Sequence, residues 1–397
     1  MEGLSFIVAG MSDATEPVFD TALVSRIAKM RYFSGGNRHY DLVKNLLPEG
    51  HIWIPVTVPL PTVYEQYSQI NESILVFASG DPLFFGFGAT LLRQFPHTSI
   101  EIHPYYNSIQ MLAQKAAVPY HNICNVSLTG RPWHKFDVAL IRQEQLIGIL
   151  TDKKKTPRVI ASYMVQFGYT NYEVIVGEYL GGERERIIRC SVEQCAGTDF
   201  ADLNCMLLAQ KGQRVKMFGI PESAFDGLPG RPNMITKAPY RLVSLSKLDL
   251  CNAKTLWDIG FCTGSVSIEA KLQFPDLHVI AFEKRPESAQ LMQANMERFG
   301  VPGIEYHIGD FFSQDLAKFQ APDSVFIGGH GGGLYHLLSS VVERLVRGGT
   351  IVINAVTDDS RQLFIDSCNE LGLALVDELH ISLNGHNPLS ILTAKKK

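Results

Sequence analysis

Short apolar runs, broken by glycine, proline or charge, recur along the whole chain. The runs at 6–10, 52–56, 74–78, 100–103, 124–128 and 137–141 are too short for helices and rich in branched and aromatic residues, so they predict buried strands. Between several of them lie helix-capable segments at 17–30, 84–95, 108–117 and 157–167, the first opening on Pro17. Further apolar segments follow at 172–176, 186–190 and 203–208. Strands alternating with helices argue for α/β architecture.

From 210 to 240 the pattern lapses. Pro221, Gly227, Pro229, Gly230, Pro232 and Pro239 fall close together, as in an interdomain linker. The expected organisation is a domain at 1–210, a linker at 211–238 and a second domain at 239–397.

In that last stretch the alternation is cleaner. The segment 286–300 opens on Pro286 and closes on Gly300, with Ala289, Met292, Met296 and Phe299 on one helical face. At 335–346, Leu338, Val341, Val342 and Leu345 follow helical spacing. One segment conflicts with this order. Val266, Ile268, Ala270, Leu272 and Phe274 alternate with period two, which by pattern alone predicts a strand. A helix is expected there nonetheless, because parallel strands at 257 and 279 require a crossover between them. The runs at 374–383 and 389–393, around Asn384-Gly385-His386-Asn387, predict a closing antiparallel hairpin.

The sharpest local pattern lies at the start of this second domain. Apolar residues run to Asp258, Gly260 and Gly264 bracket a tight turn, a helix-capable segment follows, and the next apolar run ends in Glu283. Strand, glycine turn, helix and acid-ended strand make up the mononucleotide-binding half of a doubly wound sheet. The dinucleotide version has three glycines and sets a pyrophosphate on the helix N-terminus. Here Asp258 precedes the first glycine and would repel that anion. It suits a ligand carrying an ammonium and a sulfonium, namely S-adenosylmethionine, with a dinucleotide or a purely structural turn as alternatives. Glu283 stands where it can accept hydrogen bonds from ribose hydroxyls.

Composition narrows the rest. A net charge of −4 leaves no basic footprint for nucleic acid. No run approaches transmembrane length, and no basic segment precedes an apolar one at the N-terminus, so neither a membrane partner nor a targeting segment is expected. The seven cysteines are scattered, odd in number and without Cys-x-x-Cys. That predicts a reducing cytoplasm and no metal site.

In the first half, an apolar run enters Ser79-Gly80-Asp81-Pro82, and Gly86 and Gly88 precede a helix. Gly80 can take positive φ, Pro82 stiffens the turn and Asp81 can cap or reach a ligand. A rigid strand-to-helix turn is the plainer reading. The segment Ser79-Gly80-Asp81-Pro82 through Leu92 resembles the corresponding loop of the tetrapyrrole (precorrin) methylases. Ser34-Gly35-Gly36-Asn37-Arg38-His39 is similar to a segment of their C-5-methylating branch. Asn107-Ser108, Gly130-Arg131-Pro132, Leu150-Thr151-Asp152 and the stretch 177–182 fall in the same order. The stretches 219–222 and 235–237, Trp257-Asp258-Ile259-Gly260, Gly309-Asp310 and 325–332 resemble the partner C-15-methylating, decarboxylating enzymes. Together they resemble a fusion of the two activities, over essentially the whole chain.

The resemblance implies a two-lobed tetrapyrrole methylase domain, with its lobe boundary near 110–120, followed by a Rossmann-like class I methyltransferase domain. It implies S-adenosylmethionine in each domain, a precorrin substrate, methylation at C-5 and C-15 with loss of the C-12 acetate carboxyl, and a homo-oligomer. Donor contacts are expected from Gly80, Asp81, Pro82, Ser108, Ile109 and Pro132 in the first domain. In the second, Asp258, Gly260 and Gly264 would take the methionine end, Glu283 the ribose and Asp310 the adenine amine. Arg38, His39, Arg131, Gly329 and Gly331 are candidate substrate contacts, with Arg184 beside them, and His330 is the candidate catalytic residue. The chain departs from the family at Ala9-Gly10-Met11-Ser12-Asp13, where Gly-x-Gly-Pro-Gly is usual, and at Thr129, Ala238-Pro239 and Phe261-Cys262. The altered first loop keeps one alternative open: a first half that binds corrinoid as a scaffold while only the second half methylates. A nucleic-acid or protein methyltransferase is disfavoured by the acidic balance and by glycines at 328–333.

Overall fold

The structure is a computed structural model describing residues 3–12, 17–383 and 388–397. Asp13 and Ala14 of the altered first loop, and the turn Asn384-Gly385-His386-Asn387, lie outside the described residues. The chain forms two compact units. The first comprises Met1–Arg131, Gln145–Ser162 and Asn171–Lys211; the second comprises Pro132–Glu144, Tyr163–Thr170 and Gly212–Lys397.

In the first unit, β1 (Ser5–Met11), β2 (Tyr32–Gly35), β3 (Ile52–Pro55), β4 (Ser73–Ser79) and β5 (Ser99–His103) form an all-parallel sheet in the order β3-β2-β4-β1-β5. Its central strands are buried on both faces, which is why β1 and β4 read as continuous apolar runs. A second sheet, β6 (Cys124–Ser127), β7 (Leu146–Leu150), β8 (Tyr172–Glu178), β9 (Arg186–Ser191) and β10 (Asn204–Gln210), runs in the order β6-β7-β10-β8-β9 and is parallel only between β6 and β7. The helix Ser108–Lys115 already belongs to this second core, through Ile109, Leu112 and Ala113. The change of lobe therefore falls a few residues before the expected 110–120.

The second unit holds β11 (Thr255–Ile259), β12 (His278–Glu283), β13 (Ile304–Ile308), β14 (Ser324–Ile327), β15 (Thr350–Ala355), β16 (Ala374–Ile381) and β17 (Leu389–Lys395). They form one sheet, β13-β12-β11-β14-β15-β17-β16, parallel except that β17 runs antiparallel to both neighbours. The segment with period-two alternation is the helix Ser265–Gln273, and every residue from Ser265 to Lys271 is buried. A helix enclosed on all sides has no solvent face, so its 3.6-residue period is erased.

One expected strand is corrected. Residues 137–141 lie in the helix His134–Arg142, where Phe136, Asp137, Val138, Ala139, Leu140 and Ile141 are all buried. A short apolar run is compatible with a buried strand or a buried helix, and periodicity cannot separate them. The neighbouring strand is β7, four residues further on.

The proline-rich stretch belongs to the second unit, where Ile220, Phe225 and Leu228 are buried. Glu269 fastens it by accepting the backbone N–H of Gly219 (2.6 Å) and of Ile220 (3.2 Å). Its charge is met by the fully buried Arg241 at 3.0 Å. Removing either partner would strand a buried charge, a change typically costing about 3–5 kcal/mol. Among the described residues no helix is long and apolar enough to cross a membrane.

Candidate functional site

Each unit holds one cluster of the expected site residues. In the first, a cavity of about 490 Å³ opens at the carboxyl ends of β1 and β4 and reaches the second sheet of the same unit. That volume lies in the range of small-molecule sites. Its wall includes Met11, Ser12, Arg38, His39, Ser79, Gly80, Asp81, Phe84, Phe85, Tyr106, Asn107, Ser108, Thr129, Thr151, Leu180 and Asn204.

Gly80 turns the chain there with φ +61° and donates its N–H to the Met11 carbonyl (2.8 Å). A Cβ on Gly80 would stand 3.3 Å from Asn107 Cα and the Tyr106 carbonyl oxygen, so the two loops nearly touch. One Asp81 oxygen accepts the Leu83 N–H (2.8 Å), an Asx turn that fixes the start of the loop. Pro82 is buried behind it. A Cβ on Gly86 would come within 2.6 Å of the Pro82 carbonyl oxygen, which accounts for glycine at that position.

His39 is set by its neighbours. Its Nδ1 accepts the Gly36 N–H (3.1 Å), so Nε2 carries the proton and donates to Ser79 Oγ (2.8 Å). Arg38 Nη2 donates to the same oxygen (3.0 Å). Burial, with the Arg38 charge second, lowers the His39 pKa to about 4, so the ring is neutral near pH 7.

Of the expected first-domain residues, Gly80, Asp81, Ser108, Arg38 and His39 front the cavity. Pro82 and Ile109 do not, and Ile109 is packed into the second core. Arg131 lies over the Phe85 ring, 4.7 Å from its centre, and Arg184 over the Tyr179 ring at 4.2 Å. Pro132 begins the segment assigned to the second unit. Thr151 and Asn204, paired through a 2.7 Å hydrogen bond, are wall residues that patterning did not single out by role. Only their pairing across β7 and β10 gives them a place, and no local signal marks Asn204.

In the second unit the site lies at the carboxyl ends of β11 and β14, where the strand order reverses. Crevices at such switch points are where open α/β sheets bind ligands. The loops after these strands meet backbone to backbone. Gly260 has φ +79°, and a Cβ there would stand 2.9 Å from both Gly329 N and Gly329 O. Gly264, at φ +78°, precedes the helix Ser265–Gln273, and a Cβ there would strike Met292 Sδ.

Asp258 is fully buried. Its Oδ2 accepts the Ser267 hydroxyl (2.5 Å) and backbone N–H (3.1 Å), while Oδ1 has no partner. Burial raises its pKa to about 7 despite the Ser267 bonds, with Glu283 adding a smaller push. Glu283 Oε1 accepts the N–H groups of Lys284 (2.8 Å) and Arg285 (3.1 Å), and Oε2 accepts that of Cys262 (2.9 Å). Asp310 is exposed, with Oδ1 on the Phe312 N–H (3.0 Å).

His330 sits in the loop after β14, half-buried. Its Nδ1 accepts the Gly332 N–H (3.2 Å), which leaves the proton on Nε2, 3.3 Å from Ser360 Oγ. Burial lowers its pKa. Gly329 and Gly331 flank it, and a Cβ on either would meet nothing within 4 Å, so the loop leaves open space beside the imidazole. No local signal marks Ser267 or Ser360, and Cys262 stands out only by its place inside the glycine turn. Only the fold brings them to Asp258, Glu283 and His330.

Residues 230–394 match the family described as precorrin methyltransferase domain, and residues 58–196 match the tetrapyrrole (corrin/porphyrin) methylases. The chain is 31% identical over 376 residues to the precorrin-6Y C(5,15)-methyltransferase [decarboxylating] of Sinorhizobium sp, covering 93% of this chain and 87% of that one. It is 26% identical to the protein of the same name from Mycobacterium tuberculosis, over 81% of this chain and 79% of the relative. Over 162 residues it is 35% identical to the cobalt-precorrin-6B C(15)-methyltransferase (decarboxylating) of Salmonella typhimurium, covering 41% of this chain and 83% of the relative.

Proposed function

The chain belongs to the precorrin-6Y C(5,15)-methyltransferase (decarboxylating) family, and we propose that it methylates a precorrin or cobalt-precorrin macrocycle at C-5 and C-15, removing the C-12 acetate carboxyl as CO2, in cobalamin biosynthesis. The observation that carries this reading is a single alignment running through both units, each with its own candidate site.

S-adenosylmethionine, when bound, supplies an electrophilic methyl group, and the meso carbon of a reduced tetrapyrrole is enamine-like and already nucleophilic. The protein's task is then alignment and exclusion of water. The residues present fit the donor. In the second unit, the unpartnered buried Oδ1 of Asp258 and the left-handed Gly260 form a cradle suited to an ammonium and a close backbone approach. There Asp258, Gly260 and Gly264 would hold the methionine end, Glu283 the ribose and Asp310 the adenine amine. In the first unit, Gly80, Asp81 and Ser108 would hold a second donor at the cavity wall. Pro82 and Ile109 fix the shape of that wall from behind, and Pro132 lies further along the chain.

Arg38 would meet a carboxylate arm of the macrocycle through its remaining N–H donors, and His39 would do so by exchanging its Ser79 partner for the carboxylate. His330, neutral and with its proton on Nε2, would orient the departing acetate carboxylate through an N–H hydrogen bond, or supply the proton that the side-chain carbon takes up once CO2 has left. The open backbone at Gly329 and Gly331 would let the macrocycle approach it. A homo-oligomer in the cytoplasm completes this reading, and light scattering tests the assembly.

Mass spectrometry of precorrin-6Y and its cobalt form, after incubation with purified protein and S-adenosylmethionine, tests the proposal. A gain of two methyl groups with loss of one CO2 is expected. One methyl with CO2 loss would assign the chemistry to the second unit and leave the first as a corrinoid-binding scaffold. No change with either substrate would overturn the reading.

A further inference from the structure

Two aromatic–arginine pairs, one with its ring in the wall of the first-unit cavity and the other next in sequence to a wall residue, share an unusual construction. Phe85 lines the cavity and has φ +53°; Tyr179, between the wall residues Gly177 and Leu180, has φ +48°. Bulky residues seldom adopt left-handed backbone, and where they do the surroundings must hold them there. Each ring carries one guanidinium on its face, Arg131 at 4.7 Å from Phe85 and Arg184 at 4.2 Å from Tyr179. Among the described residues neither guanidinium has a hydrogen-bond or ion-pair partner. In contrast, Arg38 in the same wall already donates to Ser79.

We propose that Phe85–Arg131 and Tyr179–Arg184 are paired carboxylate clamps that set the specificity of this cavity for a macrocycle with several acidic arms. This rests on the tetrapyrrole reading above and adds the residues that recognise its periphery. Stacking on an aromatic face holds a guanidinium flat and leaves its edge of N–H donors free, the geometry that meets a carboxylate with two parallel hydrogen bonds. The strained backbone aims each ring. The pairs come from different loops: Phe85 follows β4 and Arg131 follows β6, while Tyr179 and Arg184 follow β8. A ligand carrying carboxylates on separate edges could engage both. Phe85 and Tyr179 are positioning residues in this scheme, acting through the arginines.

The test is direct binding to the full-length protein of an octacarboxylate porphyrin and of its octamethyl ester, followed by fluorescence. Arg131→Gln and Arg184→Gln are each expected to weaken binding of the acid by about tenfold, the scale of a charge-assisted bidentate contact, and to leave the ester unchanged. Phe85→Gly accepts the left-handed backbone freely but removes the ring. It should weaken acid binding by a few-fold, and Phe85→Tyr should restore it. The affinity for S-adenosylhomocysteine should not move in Arg131→Gln or Arg184→Gln, neither of which lines the cavity. If neither Arg131→Gln nor Arg184→Gln changes acid binding, the clamp is overturned even where wild-type protein methylates precorrin-6Y. If the acid-selective losses appear while precorrin-6Y is not methylated, the clamp stands and the proposed function fails.

Discussion

The two candidate sites differ in how they are built. In the first unit, side chains make a walled cavity: aromatic rings, Arg38, His39 and the Thr151–Asn204 pair surround the space beside Gly80. In the second, backbone dominates: Gly260 and Gly329 touch where the strand order reverses, and His330 stands in a loop of glycines. The polar groups differ too. His39 is spent on Gly36 and Ser79, whereas Asp258 keeps one buried oxygen unpartnered. A site made from side chains should degrade by degrees under substitution. A site made from touching backbones should fail abruptly.

The largest expected effect is therefore at Gly260. Gly260→Ala places a Cβ 2.9 Å from two backbone atoms of Gly329 and forces a side chain into φ +79°. C-15 methylation should fall by more than about a hundredfold, because a shift near 1 Å at a reacting site has that scale. C-5 methylation, followed separately by mass spectrometry, should persist. Equal loss of both would show that the two sites do not act independently.

His330→Ala comes next. Loss of a positioned proton donor typically costs about a hundredfold or more, so decarboxylative C-15 methylation should slow on that scale while donor affinity, measured by calorimetry, holds. Unchanged rates would remove His330 from the chemistry.

Gly80→Ala should be milder than Gly260→Ala. Its Cβ would stand 3.3 Å from backbone neighbours, a tight contact that small shifts relieve, although φ +61° still disfavours it. The expected loss is about tenfold in C-5 methylation, with a destabilisation of roughly 1–3 kcal/mol measured by denaturant titration.

The smallest effects are pH trends of opposite sign. His39 has its folded pKa lowered from 6.5 to about 4, so the unfolded chain binds more protons in that window. Its contribution to stability is complete above about pH 6.5 and is lost as pH falls toward 4. Asp258 has its folded pKa raised from 3.8 to about 7, so the folded chain binds more protons there. Its contribution is greatest near pH 4 and is lost as pH rises through 7. Hydrogen exchange read separately over the two units should show the first gaining protection and the second losing it between pH 4 and 6.5. His39→Gln and Asp258→Asn should each flatten the trend in its own unit.

Much of this was legible in the chain. Gly260, Gly264 and the placing of Asp258 and Glu283 needed no tertiary information, because a tight turn and a close approach restrict residue type locally. The helix at Ser265–Gln273 was reached through topology against its own pattern. The strand expected at 137–141 failed for a related reason: six consecutive buried residues carry no period, and the helix His134–Arg142 looks in sequence like a strand. Arg131 and Arg184 could be named as candidates, but nothing local linked them to Phe85 and Tyr179. Nor did local pattern reveal that Glu269 and Arg241 anchor a proline-rich stretch that reads as a linker.

By itself the sequence determined the α/β class, the two glycine turns, and the placing of Asp258 and Glu283 near the ends of β11 and β12. These depend on φ preferences and short-range spacing, which each residue carries with it. Tertiary structure alone decided which oxygen of Asp258 stays unpartnered, which nitrogen of His39 and of His330 carries the proton, and which rings hold Arg131 and Arg184. Those outcomes depend on burial and on partners distant in sequence, and desolvation and hydrogen bonding act only once the chain has brought such groups together.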